Sequence, residues 1–204
     1  MSAERTRHLA ELFGRVWPHA LSPAERQMVL AISAVEGMGV WDGEMAGSNN
    51  FGGEQCTTGE LAGGGGATFR CVPHVDHHAD GTEYTTGFRY YLDANGRTAD
   101  ENGAADFLRT LHAPIRPRTG AVLERGGSLH ELADAMHRVH YFEGDATGGK
   151  DPVLGYAKAL ETRLRQVASE LGEAPAVSLE AGSAGSSWPL LLLAGAALVL
   201  VEVL

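Results

Sequence analysis

Between Ser22 and Gly53 the sequence runs SPAERQMVLAISAVEGMGVWDGEMAGSNNFGG, a helix with a marked start that ends on a carboxylate and gives way to a glycine- and asparagine-rich turn. Ser22 with Glu25 three positions on has the pattern of a capping box, and Pro23 stands at the first helical position, where its missing N–H costs nothing. Met28, Val29, Ile32 and Val35 recur at helical spacing. At about 100° per residue Glu36 falls within roughly 40° of Val29 and Ile32, so the acid sits on the apolar stripe. Gly37 and Gly39 then stop the helix. A carboxylate so placed has two readings. It is a last-turn glutamate that reaches water, or it is partly desolvated, with a raised pKa that lets it hold a proton near neutral pH as a general acid must. The short polar side chains, the aromatic ring and the two glycines of Ser48-Asn49-Asn50-Phe51-Gly52-Gly53 favour the second, because they suit close approach of a polar polymer.

The totals bound the rest. A chain of 204 residues accommodates one compact domain and a tail. With 26 acidic against 16 basic residues the formal net charge is −10, which argues against nucleic acid or an anionic lipid surface as a partner held by charge. A glycan partner would have to be held by short-range hydrogen bonding and stacking. The two cysteines, Cys56 and Cys71, bracket a glycine-rich stretch. A disulfide closing it would remove about 3 kcal/mol of unfolded-chain entropy; a pair of reduced thiols in a cytosolic protein is the alternative.

In chain order, residues 4 to 16 are predicted as a first amphipathic helix. The charges among Leu9, Leu12, Phe13 and Val16 make residues 1 to 17 unlike the apolar core of a secretion signal. The stretch from Gly37 to Phe69 is expected to be loop. Phe69 to Leu92 has strand composition around a turn at His77–Gly81 and predicts a hairpin lobe. Thr98 with Glu101 and Ser128 with Glu131 open two further helices, and Asp151-Pro152 opens a long last one that Gly172 ends. Ile115 to Gly127 is expected to be a basic connection. Residues 173 to 187 are expected to be a flexible linker. Residues 188 to 204, WPLLLLAGAALVLVEVL, are an apolar tail at the short limit of a membrane span, with docking on a hydrophobic partner protein as the competing reading.

Ala34-Val35-Glu36-Gly37 followed by Ser48-Asn49-Asn50-Phe51-Gly52 resembles the catalytic signature of glycoside hydrolase family 73, lysozyme-like N-acetylglucosaminidases that cut peptidoglycan. Phe88-Arg89-Tyr90-Tyr91, Ala104-Ala105-Asp106-Phe107-Leu108 and Gly155-Tyr156-Ala157-Lys158-Ala159-Leu160 resemble further pieces of the family in the same order, so the likeness spans about residues 22 to 170. The chain departs from the pattern at Gly53-Glu54-Gln55-Cys56, where the family continues with a branched apolar residue and a lysine. The resemblance implies a mainly α (α+β) fold, a lysozyme-like helical body with a small inserted β-hairpin lobe, filling residues 1–172.

It also implies chemistry. Glycosidic cleavage takes a proton donor and a group supporting the oxocarbenium-like centre. Glu36 is the expected acid. Asp76 is first among the small-lobe carboxylates for the second role, ahead of Glu83 and Glu54, with Glu60 and Asp80 also in the lobe. Tyr156 matches a cleft tyrosine that orients the acetamido group; a core-edge tyrosine is its plain alternative. Asn50 and Phe51 would floor the sugar site. No cofactor is called for. The competing chemistry is a zinc site in His74-Val75-Asp76-His77-His78, with Cys71 as a further ligand. The expected function is peptidoglycan hydrolysis as an endo-N-acetylglucosaminidase. A lytic transglycosylase or muramidase, or a non-catalytic structural or wall-binding component of a phage particle, are the alternatives. The expected place is the cell envelope or a phage virion.

Overall fold

The computed structural model describes residues 2–37, 45–77, 81–113, 116–139, 141 and 151–180, without the side chains of Asp76, His77 and Pro117. Among these residues the chain forms α1 (Ala3–Val16), α2 (Pro23–Val35), α3 (Thr58–Gly63), β1 (Phe69–His77), β2 (Glu83–Tyr91), α4 (Ala99–Leu111), α5 (Pro117–Arg125), α6 (Leu129–His137) and α7 (Pro152–Leu171). The layout is the mainly helical α+β body with an inserted two-stranded lobe that the resemblance implies.

The body is built around α2, which packs against α7, α1 and α5. Every residue from Gln27 to Ala34 is buried, so α2 is enclosed on all sides rather than presenting one stripe. Ser22 accepts from the Glu25 N–H at 3.1 Å, the first half of the expected capping box. The second half does not form: the Glu25 carboxylate is buried 3.3 Å from His112 Nε2, at the end of α4. At α6 both halves of the box are present, Ser128 accepting from the Glu131 N–H and Glu131 accepting from that of Ser128.

Two helices replace expected loops. Thr57 and Glu60 form a reciprocal capping box that starts α3 inside the glycine-rich stretch. Pro117 opens α5 inside the expected basic connection, and Val122 and Leu123 join the core. The expected linker is also corrected over its first part. Gln27 Nε2 donates to the Ala174 carbonyl at 3.0 Å and its Oε1 accepts from the Ala176 N–H at 2.8 Å, while the Leu129 and His130 N–H groups donate to Ser178 and Leu179. Val177 and Leu179 pack on the core, so residues 173–180 are docked. Residues 181–204, with the apolar tail, lie outside the described residues; no helix among the described ones is long and apolar enough to cross a membrane.

The lobe is a hairpin with Phe69 opposite Tyr91 at its base and His77 opposite Glu83 at its far end. The chain from Ser48 to Cys56 lies along the other edge of β2: Tyr91 donates to Ser48, Arg89 to Glu54, and Cys56 to Gly87 at 2.7 Å. Cys56 and Cys71 are joined by a disulfide, which fastens this segment to β1. Gly103 lets α4 reach the same segment, since a Cβ there would stand 2.1 Å from the Asn49 carbonyl oxygen.

Candidate active site

Glu36 caps α2, its N–H still bonded to the Ile32 carbonyl, and its side chain is half-buried where the helix runs out. The Tyr156 hydroxyl, carried by the first turns of α7, donates to Glu36 Oε1 at 2.9 Å. Burial raises the Glu36 pKa, and the bond from Tyr156 opposes that rise. The phenol itself is buried and its pKa is pushed well above the ordinary value by burial and by Glu36, so it stays a donor at every physiological pH. Glu36 and Tyr156, 120 residues apart in the chain, are thus brought into contact.

The Asn50–Glu54 turn faces them. Gly53 has a left-handed φ of +64°, which favours glycine, and a Cβ there would lie 3.4 Å from Glu36 Oε2, in ordinary contact. A Cβ at Gly52 would stand 2.5 Å from the Phe107 ring. Tyr141, which no local sequence pattern singles out, donates its hydroxyl to the Gly52 carbonyl at 2.9 Å, and the Arg116 guanidinium lies 5.2 Å over its ring. Burial raises its pKa, and Glu36, Tyr156 and Glu54 raise it further, which puts the ring within electrostatic reach of all three.

The expected sugar-floor residues turn inward. Asn50 is fully buried, its Oδ1 accepting from the Glu54 N–H at 2.7 Å and its Nδ2 donating to the carbonyls of Glu54 and Arg89. Phe51 is fully buried edge-to-face against Phe13. Both build the turn and present no surface to a ligand. Glu54 is 8% exposed, and burial first, then Asp106, pushes its pKa up to about 8. Behind it, Asp106 accepts from Arg89 at 2.6 Å, from Arg109 and from the Tyr91 hydroxyl, while Arg89 also donates to Glu60 at 3.1 Å. Desolvation pushes the Glu60 carboxyl up, but the Thr57 N–H and Arg89 together hold it below its ordinary value.

The hairpin carries the remaining candidate carboxylates. Asp76 pairs with Tyr84 in the backbone register and its side chain lies outside the described ones. Glu83 is exposed at the start of β2, four residues before Gly87 and so about 13 Å along the strand from it. Asp80 and His78 lie outside the described residues. The disulfide removes Cys71 as a thiolate ligand for a metal, and no cluster of three ligating side chains occurs among the described residues. Residues 38–44 and 142–150 are outside them too.

No protein-family model matches the chain, and no curated protein does. Among solved structures, the chain is similar to a C-terminally truncated glycoside hydrolase domain of FlgJ from Salmonella typhimurium, with 17% identity over 81% of this chain and 95% of that one. The TM-score is 0.45, too loose a superposition to transfer a residue role.

Proposed function

We propose that the chain is a glycoside hydrolase of the peptidoglycan glycan strand, an endo-N-acetylglucosaminidase with Glu36 as its general acid. The observation that carries this is the Glu36 carboxyl itself: half-buried at a helix end, raised in pKa by desolvation, and held in one orientation by the Tyr156 hydroxyl. A carboxyl whose pKa is raised above the free value is better suited than an ordinary one to protonating a glycosidic oxygen. Tyr156 fixes the carboxyl through Oε1 and leaves Oε2 on the side of Gly53. The supporting group opposite, Asp76 with Glu83 as second choice, would have to be supplied by the hairpin. Asn50, Phe51 and Glu54 serve by shaping the turn. The domain occupies residues 1–172 with the docked segment to 180, acts in the cell envelope or from a virion, and is tethered through residues 188–204.

Zymography on cell walls tests the reading. Glu36→Gln keeps the shape of the side chain and removes its acidity, so clearing should fall by at least about 100-fold, the usual scale of a general acid. An undiminished band takes Glu36 out of the mechanism. Mass analysis of the released sugars settles the linkage: a reducing-end N-acetylglucosamine is expected, whereas an anhydro-muramic or reducing muramic end assigns the cut to the neighbouring bond.

A further inference from the structure

We infer that Glu54 is a positioning residue for the proposed site, a neutral acid that holds the Gly52–Gly53 turn from behind while Glu36 faces the turn from the front. The inference rests on the glycosidase reading for its consequence in catalysis. Its structural half stands by itself.

The geometry gives Glu54 little to match a negative charge. A buried carboxylate is stable when two or three donors converge on it. Glu54 receives one, the Gly52 N–H on Oε2, at a long 3.3 Å. Its Oε1 is buried without a hydrogen-bond partner. The hydroxyl donors and both terminal nitrogens of Arg89 are committed elsewhere, while Arg89 Nε is buried without a hydrogen-bond partner. The Tyr91 hydroxyl and one arm of Arg89 go to Asp106, the other arm of Arg89 goes to Glu60, and the Tyr141 hydroxyl goes to the Gly52 carbonyl. The charged and titratable groups that bear on Glu54 are therefore Asp106 from α4, Arg89 and Tyr91 from β2, and Tyr141; Asp106 disfavours its ionisation and Arg89 favours it.

The Gly52 peptide is gripped at both ends, its N–H by Glu54 and its carbonyl by Tyr141. The adjoining Gly53 abuts Glu36 Oε2. Ionising Glu54 places an unmatched charge behind that peptide, and relief requires drawing a donor from Asp106 or moving the carboxylate out, either of which shifts the turn. The proton is held more tightly in the folded chain than in the unfolded one, so the protonated form prevails below about pH 8 and is lost above it, burial and Asp106 outweighing the Gly52 N–H and Arg89, which favour the charged form.

The test is made on the full chain. The Glu54 carboxyl carbon and the Gly52 amide are followed by NMR across pH in the unsubstituted protein, in Glu54→Gln and in Glu36→Gln. Both signals should titrate together near pH 8. The Gly52 step should survive Glu36→Gln and vanish in Glu54→Gln. In wall clearing, the ratio of wild-type to Glu54→Gln rate should be constant below pH 7 and fall about ten-fold by pH 9, as a single group with that midpoint dictates. A Glu54 carboxyl that titrates below pH 6, or a Gly52 amide that ignores it, overturns the inference, and the carboxyl measurement needs no variant to fold. If the wild type clears no wall while the two signals titrate as stated, the glycosidase reading fails and the grip on the turn stands.

Discussion

The helical body and the hairpin lobe are held together by different chemistry. The body closes over fully buried side chains from α1, α2, α4, α6 and α7, among them Phe13, Ile32, Phe107, Leu132 and Leu160. The lobe has little to bury: α3 contributes no buried residue, and Val72 and Tyr91 are the buried hydrophobics of its strands. In place of a core it has the Cys56–Cys71 disulfide and the Arg89 guanidinium shared between Asp106 and Glu60. The candidate site lies on the seam. Its acid and tyrosine come from the close-packed side, and the turn they face joins the two, set in the core by Phe51 and tied to β2 by backbone hydrogen bonds.

Substitutions in the two regions should therefore differ in reach. Leu160→Ala empties part of the core and should cost about 2–5 kcal/mol in denaturant unfolding, with every amide of the body losing protection together. A loss confined to α7 would break the comparison. Replacing Cys56 and Cys71 by serine should cost about 3 kcal/mol by loop entropy and should show first as faster hydrogen exchange in α3 and β1, with α2 unchanged. The finest probe uses the same motif in both places. Ser128→Ala should lower global stability by about 1 kcal/mol, whereas Thr57→Ala should leave the unfolding midpoint nearly unmoved and loosen only α3. Equal effects from the two caps would mean that the lobe unfolds with the body.

The same division governs what the sequence discloses. Helices with a cap at the start and an apolar period were readable as α1, α2, α4, α6 and α7, because both signals are local. Helix α3 was hidden in a glycine-rich stretch although Thr57 and Glu60 carry the box that would have marked it. Helix α5 was obscured by its arginines and by Gly120, despite Pro117 at its start. Contacts between distant residues leave no local trace. Nothing in Ser22–Glu25 says that the glutamate will turn to His112, and nothing in Glu173–Glu180 says that Gln27 will bind that segment. At the site, the place of Glu36 at a helix end followed from the helix period. The inward turn of Asn50 and Phe51, the approach of Tyr141 and the crowding of donors around Asp106 depend on how α1, α4 and the hairpin close on one another.

The docking of residues 173–180 bears on how the molecule can be handled and loaded. A chain cut after Gly172 would strip Gln27 of both its backbone partners and bare the seats of Val177 and Leu179, so the sound place to shorten it is beyond residue 180. Whatever is joined there departs from a fixed spot beside the start of α6. Tension on that attachment is borne by the peptide groups of Leu129 and His130, far along the chain from the acid at the end of α2.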